Sequence, residues 1–90
     1  MERFSDQSQA DAHREFEEWR KQHPDGFVLN HRAVGEAMLH TAHCTHLTFG
    51  PNEKVSLTRQ AKWCSESQRE LLEAAMNKGI RVLRCQSCLG

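Results

Sequence analysis

The chain has no tyrosine, one isoleucine and only four valines among its 90 residues, and apolar residues make up 38% of it. So little branched and aromatic bulk excludes a large, self-sufficient core. Domains of this size bury little more than about 60% of their unfolded surface, so packing alone leaves them marginal. No apolar run approaches the ~20 residues of a membrane-spanning helix. The charged, polar opening MERFSDQ does not resemble a signal peptide. The expectation is one soluble, cytoplasmic domain over residues 1–90 with no membrane partner. Also missing are a Ser/His/Asp order, a glycine-rich phosphate loop and a carboxylate cluster, so no catalytic constellation is expected. The expectation is that the protein is not an enzyme.

There is no net charge either: 12 basic residues balance 12 acidic ones. The balance is uneven along the chain. Residues 1–25 hold seven acids and four bases (net −3), residues 26–53 two and one (net −1), and residues 54–90 three and seven (net +4). A modestly basic C-terminal part can meet phosphate, although solvated lysines and arginines produce the same count.

What is present is cysteine and histidine, four and six of them. In a reducing compartment four cysteines point to metal ligands or free thiols rather than two disulfides. His40-x3-Cys44 in LHTAHCTHL and Cys85-x2-Cys88 in RCQSCLG form two close pairs. Zinc takes four N/S ligands at about 2.0–2.3 Å in a tetrahedron, so two such half-sites brought together complete one cage. The spacing predicts a structural Zn2+ held by His40, Cys44, Cys85 and Cys88. His43 and His46 are competing nitrogens, and Cys64 is a spare sulfur whose alternative role is that of a small buried apolar residue. A structural zinc contributes on the order of 10 kcal/mol to folding, more than such a thin core supplies. A cage filled by thiolates and imidazole leaves no open position for water, which disfavours hydrolysis at the metal.

Periodicity supplies the frame. Ala12, Phe16 and Trp19 form one apolar stripe of a helix over residues 6–22, capped at Ser5 or Asp6 and stopped by His23-Pro24-Asp25-Gly26. Arg14–Glu18 and Glu17–Lys21 are expected (i, i+4) pairs on it. Phe27–Asn30 and Met38–Thr41 read as strands, with a loop or turn across residues 32–37. A tight turn from Ala42 to Leu47 folds Cys44 back beside His40. Phe49-Gly50-Pro51-Asn52-Glu53 has the punctuation of a loop, and short strands are expected after it around Lys54–Leu57 and Ala61–Cys64. A second helix over residues 66–78 carries a Ser65/Gln68 capping box, a Leu71/Ala75 and Leu72/Met76 stripe, and Gly79 just past its end. Ile80–Leu83 alternates as a strand running into Cys85. The fold class is α+β: a small antiparallel sheet, two helices, and a zinc clamping the sheet's end.

The order Leu-His-x3-Cys-x2-Leu, a strand, a Ser-x-x-Gln-capped helix, Gly79-Ile80-Arg81 and Cys-x2-Cys resembles the Ada-type zinc domain, the metal module of an alkylation-repair protein. Residues 27–88 carry the likeness, and the N-terminal helix (residues 1–24) lies outside it. The resemblance implies zinc at His40, Cys44, Cys85 and Cys88 and a setting among prokaryotic or phage DNA-handling proteins. It does not carry over methyl transfer, because the acceptor cysteine of that family is replaced here by His40. The segment His-Pro-Asp-Gly-Phe-Val-Leu-Asn is also similar to the opening of an uncharacterised bacterial module associated with restriction and other defence proteins.

Two functions follow as expectations. One is a non-catalytic, zinc-stabilised DNA-associated module, with Arg32, Lys54, Arg59, Lys62, Arg81 and Arg84 as contacts and Arg81 and Arg84 flanking the zinc end. Trp63 offers base stacking, against the commoner role of a core residue. The other is an adaptor or small inhibitor acting on a partner protein, through the acidic N-terminal helix or an apolar patch around Phe4, Met38 or Phe49.

Overall fold

Side chains alternate across a strand, so the pattern of Phe27-Val28-Leu29 and Met38-Leu39-His40 commits each strand to two faces that both need cover. The computed structural model describes residues 1–44 and 58–89. Among these residues the chain runs β1 (Glu2–Phe4), α1 (Ala12–Gln22), β2 (Phe27–Ala33), β3 (Glu36–Thr41), β4 (Lys62–Ser65), α2 (Gln68–Asn77) and β5 (Arg81–Arg84). The strands form one sheet in the order β1-β4-β2-β3-β5. All neighbours are antiparallel except β3 and β5, which run parallel with Glu36 opposite Arg81 and Leu39 opposite Arg84. The fold is thus α+β as expected, but its sheet is mixed rather than wholly antiparallel. The strand expected around residues 54–57 falls outside the described residues.

Each helix takes one face. Phe16 and Trp19 of α1 cluster with Phe4, Val28 and Cys64, whereas Leu71 and Ala75 of α2 cluster with Leu29, Ala37, Leu39 and Trp63. Phe16, Leu29, Leu39 and Leu71 are fully buried, and each contributes about 1.5–3 kcal/mol relative to exposure. Trp63 is therefore a core residue. Its ring carries the Arg3 guanidinium at 4.8 Å and meets the His31 edge at 4.3 Å.

The ends of the elements follow local chemistry. α1 begins at Ala12 rather than residue 6, because the preceding residues close on themselves: Ser8 and Gln9 N–H both donate to Ser5 O, and Ser5 N–H donates to Gln9 Oε1. Arg14–Glu18 forms at 3.1 Å as expected, but Glu17 pairs with Arg20 at 2.9 Å instead of Lys21. α2 is capped by Ser67, whose Oγ accepts from Glu70 N–H at 3.2 Å. Ser65, the expected cap, stands two residues earlier, donating its hydroxyl to Glu70 Oε1 and accepting from Ser67 N–H. Gly79 ends the helix at φ +68, a conformation costly for any side chain.

Candidate metal centre

The register of β2 and β3 sets Val28 opposite His40, which puts the imidazole on the α1 side of the sheet and leaves it 3% exposed. The parallel ladder then runs one step past β5: Cys85 N–H donates to Leu39 O at 2.9 Å. That step places Cys85 alongside His40 with the same facing. Both half-sites fold back over this pair. Cys44 N–H reaches Thr41 O at 3.1 Å, closing the turn after β3, and Ala42 N–H anchors that turn on Gly26 O at 2.9 Å. Leu89 N–H reaches Cys85 O at 2.9 Å, closing the turn that returns Cys88.

One ligand atom each from His40, Cys44, Cys85 and Cys88 lies within 4.8 Å of all the others. The first three residues are buried and Cys88 is half-buried. Cys44 Sγ and Cys85 Sγ are 3.7 Å apart. Two sulfurs on a tetrahedral ion with bonds of about 2.3 Å are separated by about 3.8 Å, whereas a disulfide needs about 2.05 Å. None of the four cysteines among the described residues is in a disulfide. Thr41 N–H also points at Cys88 Sγ, 3.3 Å away, the kind of backbone support a thiolate ligand requires.

The competitors separate cleanly. Cys64 sits opposite Val28, which itself stands opposite His40, so two strand spacings of about 4.8 Å each lie between Cys64 and His40. Burial pushes the Cys64 thiol well above its ordinary value, with Lys62 and Arg20 opposing. It is a fully buried core residue. His43 is exposed outside the cluster, and His46 lies outside the described residues.

Two residues that the sequence reading passed over support the site. Arg20 of α1 is 8% exposed and donates from Nε to Ala42 O at 2.7 Å and from Nη2 to Cys44 O at 3.5 Å. Its spacing of four from Phe16 and its position next to Trp19 set it on the buried stripe, a signal available in the sequence. Gly26 is the other. A Cβ there would stand 2.6 Å from the Trp19 ring and 3.1 Å from His23 O, so the anchor for Ala42 must be bare backbone.

The proposed nucleic-acid contacts scatter. Arg32, Arg59, Arg81 and Arg84 are exposed, and Lys54 lies outside the described residues. Lys62 is a correction: it is 4% exposed on the α1 side, donating to Asn30 Oδ1 at 2.8 Å and Gln60 O at 3.0 Å. Burial lowers its pKa to about 8, with Cys64 and Asp6 opposing. Arg81 is also misplaced by the sequence reading. Its N–H bonds Gly35 O at the β2–β3 turn, the opposite end of β5 from Cys85. Among the described contacts, Arg84 alone adjoins the cluster, next to Cys85. No protein-family model, curated protein or solved structure matches the chain.

Proposed function

We propose that the chain is a non-catalytic binding module held together by a structural zinc ion at His40, Cys44, Cys85 and Cys88. The convergence of these four ligand atoms within 4.8 Å carries the reading. Three thiolates and an imidazole are a donor set that suits zinc and not magnesium or calcium. Four protein ligands complete its tetrahedron, which assigns the ion to stability rather than to activating water. Metal analysis of protein refolded with equimolar zinc tests this directly. One equivalent retained by the wild type and by Cys64→Ala, and lost by Cys85→Ser and His40→Ala, is the expected result. Retention by His40→Ala together with loss by Cys64→Ala overturns the ligand set.

We infer further that the module associates with DNA in a prokaryotic or phage DNA-processing or defence setting. The support is the likeness of its ligand order to Ada-type domains and the exposed Arg32, Arg59, Arg81 and Arg84. Binding to duplex and single-stranded DNA at two salt concentrations is the test, with affinity falling as salt rises. Absence of binding at low salt removes this reading. A protein partner is the second reading, favoured by Val34, which is fully exposed on the turn between β2 and β3. Of the patch first expected for it, the described members are not exposed. Phe4 is buried, Met38 is half-buried, and Phe49 lies outside the described residues. The acidic face of α1 is partly occupied too, since Glu17 pairs with Arg20 and Glu18 with Arg14.

A further inference from the structure

A buried guanidinium is costly unless its donors are satisfied. Arg20 spends them in three directions: Nη1 on Glu17 Oε1 at 2.9 Å, Nε on Ala42 O at 2.7 Å and Nη2 on Cys44 O at 3.5 Å. Two of the three acceptors are carbonyls of the turn that carries a ligand cysteine. The guanidinium also lies over the Phe16 ring, 5.5 Å from its centroid, so its position is fixed by the helix it grows from. We propose that Arg20 is a positioning residue for the metal centre, and that α1 is thereby part of the cage rather than an appendage to it. This rests on the zinc reading above.

The coupling works in both directions. With Cys44 on the ion, the turn after Thr41 is closed, and the carbonyls of Ala42 and Cys44 stand where the fork of Arg20 needs them. If Cys44 leaves the ion and the turn opens, a cation is stranded under the helix. Conversely, an unanchored turn lets the Cys44 sulfur wander from the other three ligands. Charge favours the same arrangement, because three thiolates and a neutral imidazole around Zn2+ leave a net −1 close to the guanidinium. Lysine would not substitute fully, since its single ammonium lacks the planar fork that spans two carbonyls.

The test is zinc affinity by chelator competition on the full chain, together with the absorption spectrum of the cobalt(II)-loaded protein. Arg20→Gln is expected to bind zinc about 10–100-fold more weakly, as loss of hydrogen bonds from a charged donor implies, and Arg20→Lys to fall between. The cobalt bands of Arg20→Gln should shift, because the Cys44 ligand is no longer held. Leu71→Ala, buried on the other face, destabilises the protein without touching the turn, and its cobalt bands should match the wild type. A wild-type chain that binds zinc beside Arg20 variants of equal affinity and superimposable spectra overturns the coupling alone. So does a Leu71→Ala spectrum that shifts as much as that of Arg20→Gln. A wild-type chain that takes up no zinc overturns the metal reading and the coupling together. If Arg20→Gln fails to fold even with excess metal, Arg20→Lys decides by the same two measurements.

Discussion

The two faces of the sheet are closed by different means. Under α2 the contacts are Leu29, Ala37, Leu39, Trp63, Leu71 and Ala75, an apolar set that needs nothing but water to drive it together. Under α1 the apolar cluster of Phe4, Phe16, Trp19 and Val28 shares its space with Arg20, Lys62, His40 and three buried cysteines. Polar groups at such positions cost free energy unless bonded or ligated. One face is therefore a small conventional core, and the other is a polar assembly that a metal ion at His40, Cys44, Cys85 and Cys88 would complete. In a 90-residue chain with so little branched bulk, a metal bound on the polar face would stabilise the side that packing serves least.

The sharpest way to break this contrast is to remove the ion. Chelation is expected to withdraw on the order of 10 kcal/mol and to abolish the cooperative thermal transition. A metal-free sample that still melts cooperatively would show that the two faces do not differ as described. Next in size is Leu71→Ala on the apolar face, expected to cost about 2–5 kcal/mol in denaturant unfolding, with zinc stoichiometry unchanged. A loss of zinc there would mean that the faces are not independent.

Lys62 sharpens the comparison through pH. Its folded pKa of about 8 lies below the ordinary 10.5. Between those values the unfolded chain holds a proton that the folded chain has shed, so this lysine's contribution to stability rises with pH across that window. It is complete above 10.5 and lost as pH falls to 8. Stability of the wild type minus that of Lys62→Met should climb from pH 8 to 10.5, by at most about 1.4 kcal/mol per unit. A flat difference would mean that Lys62 is solvated. The smallest effect expected is that of Ser67→Ala, about 1 kcal/mol from loss of the α2 cap, measured by the shift in melting temperature. Ser65→Ala removes the Ser67 N–H and Glu70 contacts instead. If it cost more than Ser67→Ala, the assignment of the cap would be wrong.

The sequence carried much of this molecule in its periodicities. The α2 stripe of Leu71 and Ala75 and the Gly79 stop were readable because a helix repeats every 3.6 residues and ends where a left-handed residue is available. The convergence of His40, Cys44, Cys85 and Cys88 was readable because close His/Cys pairs have few other uses. β1 was not, since three residues with one apolar side chain, Phe4, give no alternation to detect. Nor was the direction of β5. Alternation in Ile80-Arg81-Val82-Leu83 marks a strand, but says nothing about whether the neighbouring strand runs the same way. Lys62 was misread and Arg20 passed over because both residue types default to solvent. Only the surroundings (Asn30 and Gln60 for one, the Ala42–Cys44 turn for the other) reveal where they go.

Cys44 and Cys85 stand 41 positions apart, with β4 and α2 between them. On a ribosome making about 5–20 residues per second, the first half-site emerges roughly 2–8 seconds before the second. During that interval Cys85 and Cys88 are still unmade, and β3 lacks the parallel neighbour that will hold its other edge. The final ring of contacts must wait until Cys85 and Cys88 have been made.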